Sequence, residues 1–177
     1  MFFPSKSTST WANLAKTCLQ SALLWLVTLF CIPWAICSAE DFYSLPRSSS
    51  AWQAPLAVGF FILFALLNGW SGFSMAALGA GTPLPLDCAN RLVVAGPYAY
   101  VRNPMAISGL GLGFSVALFL GSWLVGLYVF SGLLLWNYVV RPFEEKDLLD
   151  RFGPAFRHYA DLVRCWIPRL SAYQRQR

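Results

Sequence analysis

Three long stretches of this chain carry no Asp, Glu, Lys or Arg: between Lys16 and Glu40, between Arg47 and Asp87, and between Arg102 and Arg141. A helix needs roughly 20 apolar residues to cross a bilayer core of about 30 Å. The first stretch fits one crossing, roughly Leu19 to Ala39. The second holds one, roughly Trp52 to Met75, followed by a Gly/Pro-rich tail. The third is long enough for two short crossings, broken near Gly121-Ser122. Backbone in lipid has to satisfy its own hydrogen bonds, so helices are the spanning element. The expected class is an all-α integral membrane protein of about four transmembrane helices, the last two forming a tight hairpin.

Composition agrees. Apolar residues make up 57% and charged residues 12%, about half the usual charged share. The 177 residues are expected to form one membrane domain, with spans in 1–80 and the motif-bearing core and tail in 81–177. A short basic lead, an apolar run and Cys37-Ser38-Ala39 also fit a cleaved signal peptide. Against that alternative, the run is long for a signal and the rest of the chain is itself apolar enough to be embedded.

Basic residues set an orientation. Lys6 and Lys16 precede the first span, and Arg91 and Arg102 lie between the second and third. The segment from Arg141 onward holds eight of the thirteen basic residues. Both termini are therefore expected in the cytosol. A +5 net charge beside a bilayer is drawn to anionic headgroups, so membrane lipids are the expected partners. No basic–aromatic motif of a nucleic-acid module is present, and no nucleic acid is expected. Five cysteines without a C-x-x-C pair and a single histidine, His158, argue against a metal site.

The texture changes at Gly79. The segment GAGTPLPLDCANRLVVAGPYAYVRNP is too broken for a helix. Leu92 to Val94 and Tyr98 to Val101 flank Gly96-Pro97 as a short hairpin, and Pro104 suits the first turn of the third span. Pro142 marks where the fourth span leaves the membrane. A helical stretch, Phe143 to Phe152, stops at Gly153. Pro154 opens an amphipathic helix with Phe156, Tyr159, Ala160 and Val163 on one side, expected to lie on the membrane surface.

Two polar clusters sit at membrane boundaries: Gly96 to Pro104, and the pair Glu144-Glu145. On a helical wheel Glu145 falls among Leu148, Leu149 and Phe152, with Glu144 at the edge of that side. An isolated buried carboxylate is costly, so Glu145 requires a partner. That partner is either a ligand in an enclosed pocket or a structural arginine such as Arg102 or Arg169.

The runs GTPLP, RLVVAGPYAYVRNPM, EE and FGPAFRHYADLVRCWIPRL, in this order with apolar spans between them, resemble the isoprenylcysteine carboxyl methyltransferase and phospholipid methyltransferase group of membrane enzymes. The resemblance covers about Gly79 to Leu170. It implies S-adenosyl-L-methionine as methyl donor and a cofactor pocket closed by a cytosolic tail. It also implies a lipid-like or membrane-embedded small acceptor. Arg102, Asn103, Pro104, Met105 and Gly109 match the first cofactor motif, and Glu144 and Glu145 the second. Tyr100 joins the expected cofactor-binding set because an aromatic face supports a sulfonium. Arg102 and Glu145 are the expected catalytic residues. Gly111 and Gly113 are expected to serve helix packing.

Some positions depart from the group. Ala99 stands where an Arg is common, Ala106 where an aromatic residue is common, and Asn103 where a His is frequent. Asn137 occupies the place of another frequent His. Two other readings compete: a membrane reductase related to sterol reductases, and a non-catalytic protein that keeps the fold.

Overall fold

The computed structural model describes residues 10–79 and 90–174, with side chains from residue 15 onward except residue 17. All regular structure among these residues is helical. The first long helix runs as α1 (Thr10–Trp25), a π-helical turn (Leu26–Cys31) and α2 (Ile32–Phe42) without interruption. Then come α3 (Gln53–Gly79), a 3-10 turn (Gly96–Ala99) and α4 (Pro104–Leu120). The last long helix is α5 (Trp123–Leu135), a second π turn (Trp136–Val140) and α6 (Arg141–Phe152), followed by the short α7 (Pro154–Leu162). Three of these continuous helices are long and apolar enough to cross a membrane: Cys18–Phe42, Gln53–Gly79 and Trp123–Phe152. The remaining expected crossing, the third in chain order, is α4, with 17 residues, at the short end of the spanning range. Leu63, Leu66, Phe30 and Leu127 are among many large apolar side chains left exposed. A water-soluble surface does not carry so much apolar area, whereas a lipid-facing one does.

Pro142 does not break the last long helix. The helix passes through it, and the reason lies one turn earlier. A proline inside an α-helix loses one hydrogen bond and its ring presses on the carbonyl four residues back. Widening that turn to π geometry relieves the clash, and here the N–H of Arg141 reaches the carbonyl of Trp136. The first helix uses the same device before Pro33, with the N–H of Ile32 bonded to the carbonyl of Val27.

The centre of the bundle is α4, which packs against α3, α5 and the first π turn. Its three alternate glycines each admit a side chain from a different helix. A Cβ on Gly109 would stand 2.6 Å from the Trp25 ring, one on Gly113 would stand 2.9 Å from Val129, and one on Gly111 would collide with Phe64. Buried serines complete the α3–α4 contact, one bonding within its own helix and one across to the other. Ser71 reaches the carbonyl of Leu67 at 2.7 Å, and Ser108 reaches Asn68 Oδ1 at 3.1 Å.

One end of the bundle is closed by a polar clasp. Gly121, at φ +63°, turns α4 into α5, and Ser122 Oγ caps α5 by accepting from the N–H of Val125 at 3.0 Å. Ser122 also donates to Glu40 Oε1 at 2.6 Å. Arg47 Nε lies 3.0 Å from Glu40 Oε2 and its Nη2 reaches the carbonyl of Cys37 at 2.8 Å. Gln53 Nε2 donates to the carbonyl of Leu118 at 2.7 Å. Glu40, just past the expected first crossing, is the last-turn carboxylate of α2 and is buried. A lone buried carboxylate is unfavourable, and the loop bends back to bring Arg47 to it.

Candidate functional site

At the opposite end, the segment leading into α4 and the C-terminal tail are laced together. Gly96 adopts φ +62°, and a Cβ there would stand 2.6 Å from Ser74 Oγ. The turn that follows is a single 3-10 turn, and the hairpin expected around Gly96-Pro97 does not form. The backbone groups a hairpin partner would use are taken by the tail. The N–H of Arg102 bonds to the carbonyl of Arg164 at 3.0 Å. The carbonyls of Tyr100 and Ala99 accept from Arg169 and Tyr173 at 2.9 and 2.8 Å. Tyr159 Oη donates to the carbonyl of Tyr98 at 2.6 Å. Burial holds both phenols well above the ordinary tyrosine range, so Tyr159 stays a neutral donor.

The amphipathic helix α7 does not present its apolar side to a bilayer. Phe156, Tyr159 and Val163 are buried against Leu148, Leu149 and Phe152 of α6 and against Leu92 and Val94. The apolar side of α6 is thus covered by the tail, and Glu145, which shares that side, meets the cations there. Its Oε1 lies 3.2 Å from Arg102 Nη2 and 3.7 Å from Arg141 Nε. Arg141 also donates to Asn137 Oδ1 at 3.2 Å. Trp166 of the tail donates to the same oxygen at 2.9 Å. The Trp166 ring then stands edge-on to Trp136, with centroids 5.1 Å apart.

Behind this layer lies a cavity of about 320 Å³ between the first helix, α4 and the last helix. That volume falls within the range of about 300–1,000 Å³ usual for small-molecule sites. Trp25, Thr28 and Leu29 come from the first helix. Asn103, Met105, Ala106, Gly109 and Gly113 come from α4 and its N-cap. Tyr128, Val129, Gly132, Trp136 and Glu144 come from the last helix. Both π turns border it, contributing Thr28, Leu29 and Trp136; such turns are frequent at functional sites. The wall is mostly apolar, with one polar end. There the Asn103 side chain hydrogen-bonds Glu144, which is half-buried. Trp25 Nε1 is buried and donates to no atom among the described residues. An acidic acceptor and an unused donor in one apolar chamber suit a ligand that carries both cationic and hydrogen-bonding groups.

The expected site residues divide into two groups. Asn103, Met105, Gly109 and Glu144 line the cavity. Arg102 and Glu145 form an ion pair beside it, and neither is part of its wall. Pro104 is buried at the first turn of α4, and Tyr100 is exposed with its carbonyl bound to the tail. The wheel placed Glu145 correctly among Leu148, Leu149 and Phe152. Of the two partners left open for Glu145, the structure supplies the arginine: Arg102 meets it under the tail, and the cavity lies at the edge where Glu144 points. Sequence reading also missed Trp25, Tyr128 and Trp136. The last two, with Gly132, recur at i, i+4 and i+8 and so share one helix face; that spacing was the available signal. Gly109 serves packing as much as the cavity, since the Trp25 ring fills its missing Cβ. The GTPLP run lies outside the described residues.

The replaced positions have physical counterparts. Ala99 is buried under the tail, Ala106 is a cavity wall, and Asn137 is the acceptor shared by Arg141 and Trp166. Compared with known proteins, residues 52–154 match the family described as phospholipid methyltransferase. No curated protein and no solved structure matches the chain.

Proposed function

Because the chain belongs to the phospholipid methyltransferase family, a family of membrane methyltransferases, we propose that it binds S-adenosyl-L-methionine at the Asn103–Glu144 end of the cavity and methylates a lipid-like or membrane-embedded small acceptor. The observation that carries this reading is the pairing of Asn103 with Glu144 at the one polar end of an otherwise apolar chamber. When bound, the sulfonium supplies an electrophilic methyl group and needs no metal or covalent enzyme intermediate. Glu144 accepts hydrogen bonds from an ammonium or from hydroxyls, and Asn103 holds the carboxylate in place. Trp25, Tyr128 and Trp136 offer aromatic faces to a cation. Met105, Ala106 and Leu110 keep water from the reacting atoms, which strengthens each electrostatic contact. Arg102 and Glu145 act as positioning residues in this reading. Their pair fixes the backbone that carries Asn103 to the helix that carries Glu144.

The site belongs to the end bearing the basic tail, which the charge asymmetry assigns to the cytosol, where the methyl donor is made. The test is titration of the purified protein with S-adenosylhomocysteine, followed by incubation with methyl-labelled S-adenosyl-L-methionine and an extract of membrane lipids. Saturable binding and label in the apolar extract are expected. Absence of saturable binding by folded protein overturns the cofactor assignment.

A further inference from the structure

We propose that Gly132, together with Ala106, is the specificity-determining position of the cavity, leaving room for a single apolar chain of the bound acceptor. A glycine inside a helix costs stability relative to alanine, so it needs a compensating use. On α4 the use is visible, because Gly109 and Gly113 are filled by Trp25 and Val129. Gly132 differs. It lines the cavity, yet a Cβ built there meets no atom of the described residues within 4 Å. No neighbouring helix occupies the space it leaves, and that space belongs to the chamber.

Ala106 lines the same chamber from α4, so small residues narrow the wall from two helices. Each absent side chain has about the cross-section of one alkyl chain. The space left at Gly132 therefore has the width of one chain. Tyr128 and Trp136, one turn to either side of Gly132, confine the opening along the helix. Trp25, with its unused Nε1–H, offers a hydrogen bond to a polar atom of the ligand. The occupant is accordingly a single-chain or similarly slender amphiphile with a hydrogen-bond acceptor near its head. Identifying it as the methyl acceptor rests on the methyltransferase reading. The presence of a slender apolar ligand at Gly132 does not.

Gly126 provides a matched control on the same helix. A Cβ there also meets nothing within 4 Å, but Gly126 is not part of the cavity wall. The probe is a sixteen-carbon primary alcohol with a mid-chain diazirine, photolysed with the wild-type protein, Gly132→Leu and Gly126→Leu, and mapped by peptide mass spectrometry. In the wild type, labelling of peptides containing Leu29 and Tyr128 should be saturable and suppressed by excess unlabelled hexadecanol. Labelling of the lipid-facing side of α3 should not saturate. Gly132→Leu should lower the saturable labelling at least fivefold, and Gly126→Leu should leave it within twofold. Affinity for S-adenosylhomocysteine should stay within threefold in Gly126→Leu. Saturable labelling retained in Gly132→Leu, or absent from the wild type, overturns the proposal. Saturable labelling lost in Gly132→Leu from a protein that binds no S-adenosylhomocysteine supports the chamber and overturns the methyltransferase reading alone.

Discussion

The two adjacent glutamates should fail in different ways when neutralised. Glu145 faces Arg102 at 3.2 Å. At an effective dielectric of about 20, charges at that distance attract by roughly 5 kcal/mol, from 332/(20 × 3.2). Both side chains keep some solvent contact, 17% for Arg102 and 30% for Glu145. Desolvation and screening remove much of the attraction, leaving a net of about 1–3 kcal/mol. Glu145→Gln should therefore lower stability by that amount, or roughly 2–4 °C in Tm for each kcal/mol in a chain of this size. It should change S-adenosylhomocysteine affinity less than about threefold, since Glu145 is not part of the cavity wall. Glu144→Gln keeps a hydrogen-bond partner for Asn103 and relieves a half-buried charge, so Tm should hold or rise. Its cofactor affinity should fall at least about tenfold, or ~1.4 kcal/mol. The assay is thermal unfolding of each variant in detergent, paired with calorimetric titration of S-adenosylhomocysteine. A larger affinity loss in Glu145→Gln than in Glu144→Gln refutes the assignment of the two carboxylates. Equal Tm in Glu145→Gln and wild type refutes the structural role of the ion pair.

Four other outcomes are expected. Arg47→Met strands the buried carboxylate of Glu40 and should lower Tm sharply, while the added change Glu40→Gln should recover part of the loss; thermal melts of the single and double variants check this. Tyr159→Phe leaves the carbonyl of Tyr98 without its 2.6 Å donor and should cost about 1–3 kcal/mol in denaturant unfolding. Asn137→Leu removes the acceptor shared by Trp166 and Arg141. In a background with Cys18, Cys31, Cys37 and Cys88 replaced by serine, it should speed maleimide labelling of Cys165, which is buried and whose thiol burial holds above its ordinary range. Reporter fusions after Leu45, Asn90 and Arg177 should read outside, inside and inside, and an outside signal at Arg177 would contradict the proposed orientation.

The spacing of charges determined much of this protein before any coordinate was known. Between Lys16 and Glu40 and between Arg47 and Asp87 only a lipid-facing helix is a physical solution, and the helices are there. Gly121-Ser122, Gly153 and Pro154 mark local breaks through their own backbone preferences, and each falls where the sequence places it. The wheel of α6 was legible too, because side-chain direction within one helix follows from its period. What faces that wheel was not. Whether Leu148, Leu149 and Phe152 cover a cavity or receive α7 depends on how the chain folds back after Gly153, which is a non-local contact. For the same reason it is Glu144 that lines the cavity while Glu145 pairs with Arg102 beside it, and Glu40 becomes buried only because Arg47 and Ser122, distant from each other in sequence, converge on it. The π turns belong to tertiary structure as well, since a proline in a span can either end a helix or be absorbed by it. At Pro33 and Pro142 the two flanking segments have packing partners on both sides, and a wider turn costs less than giving up those contacts.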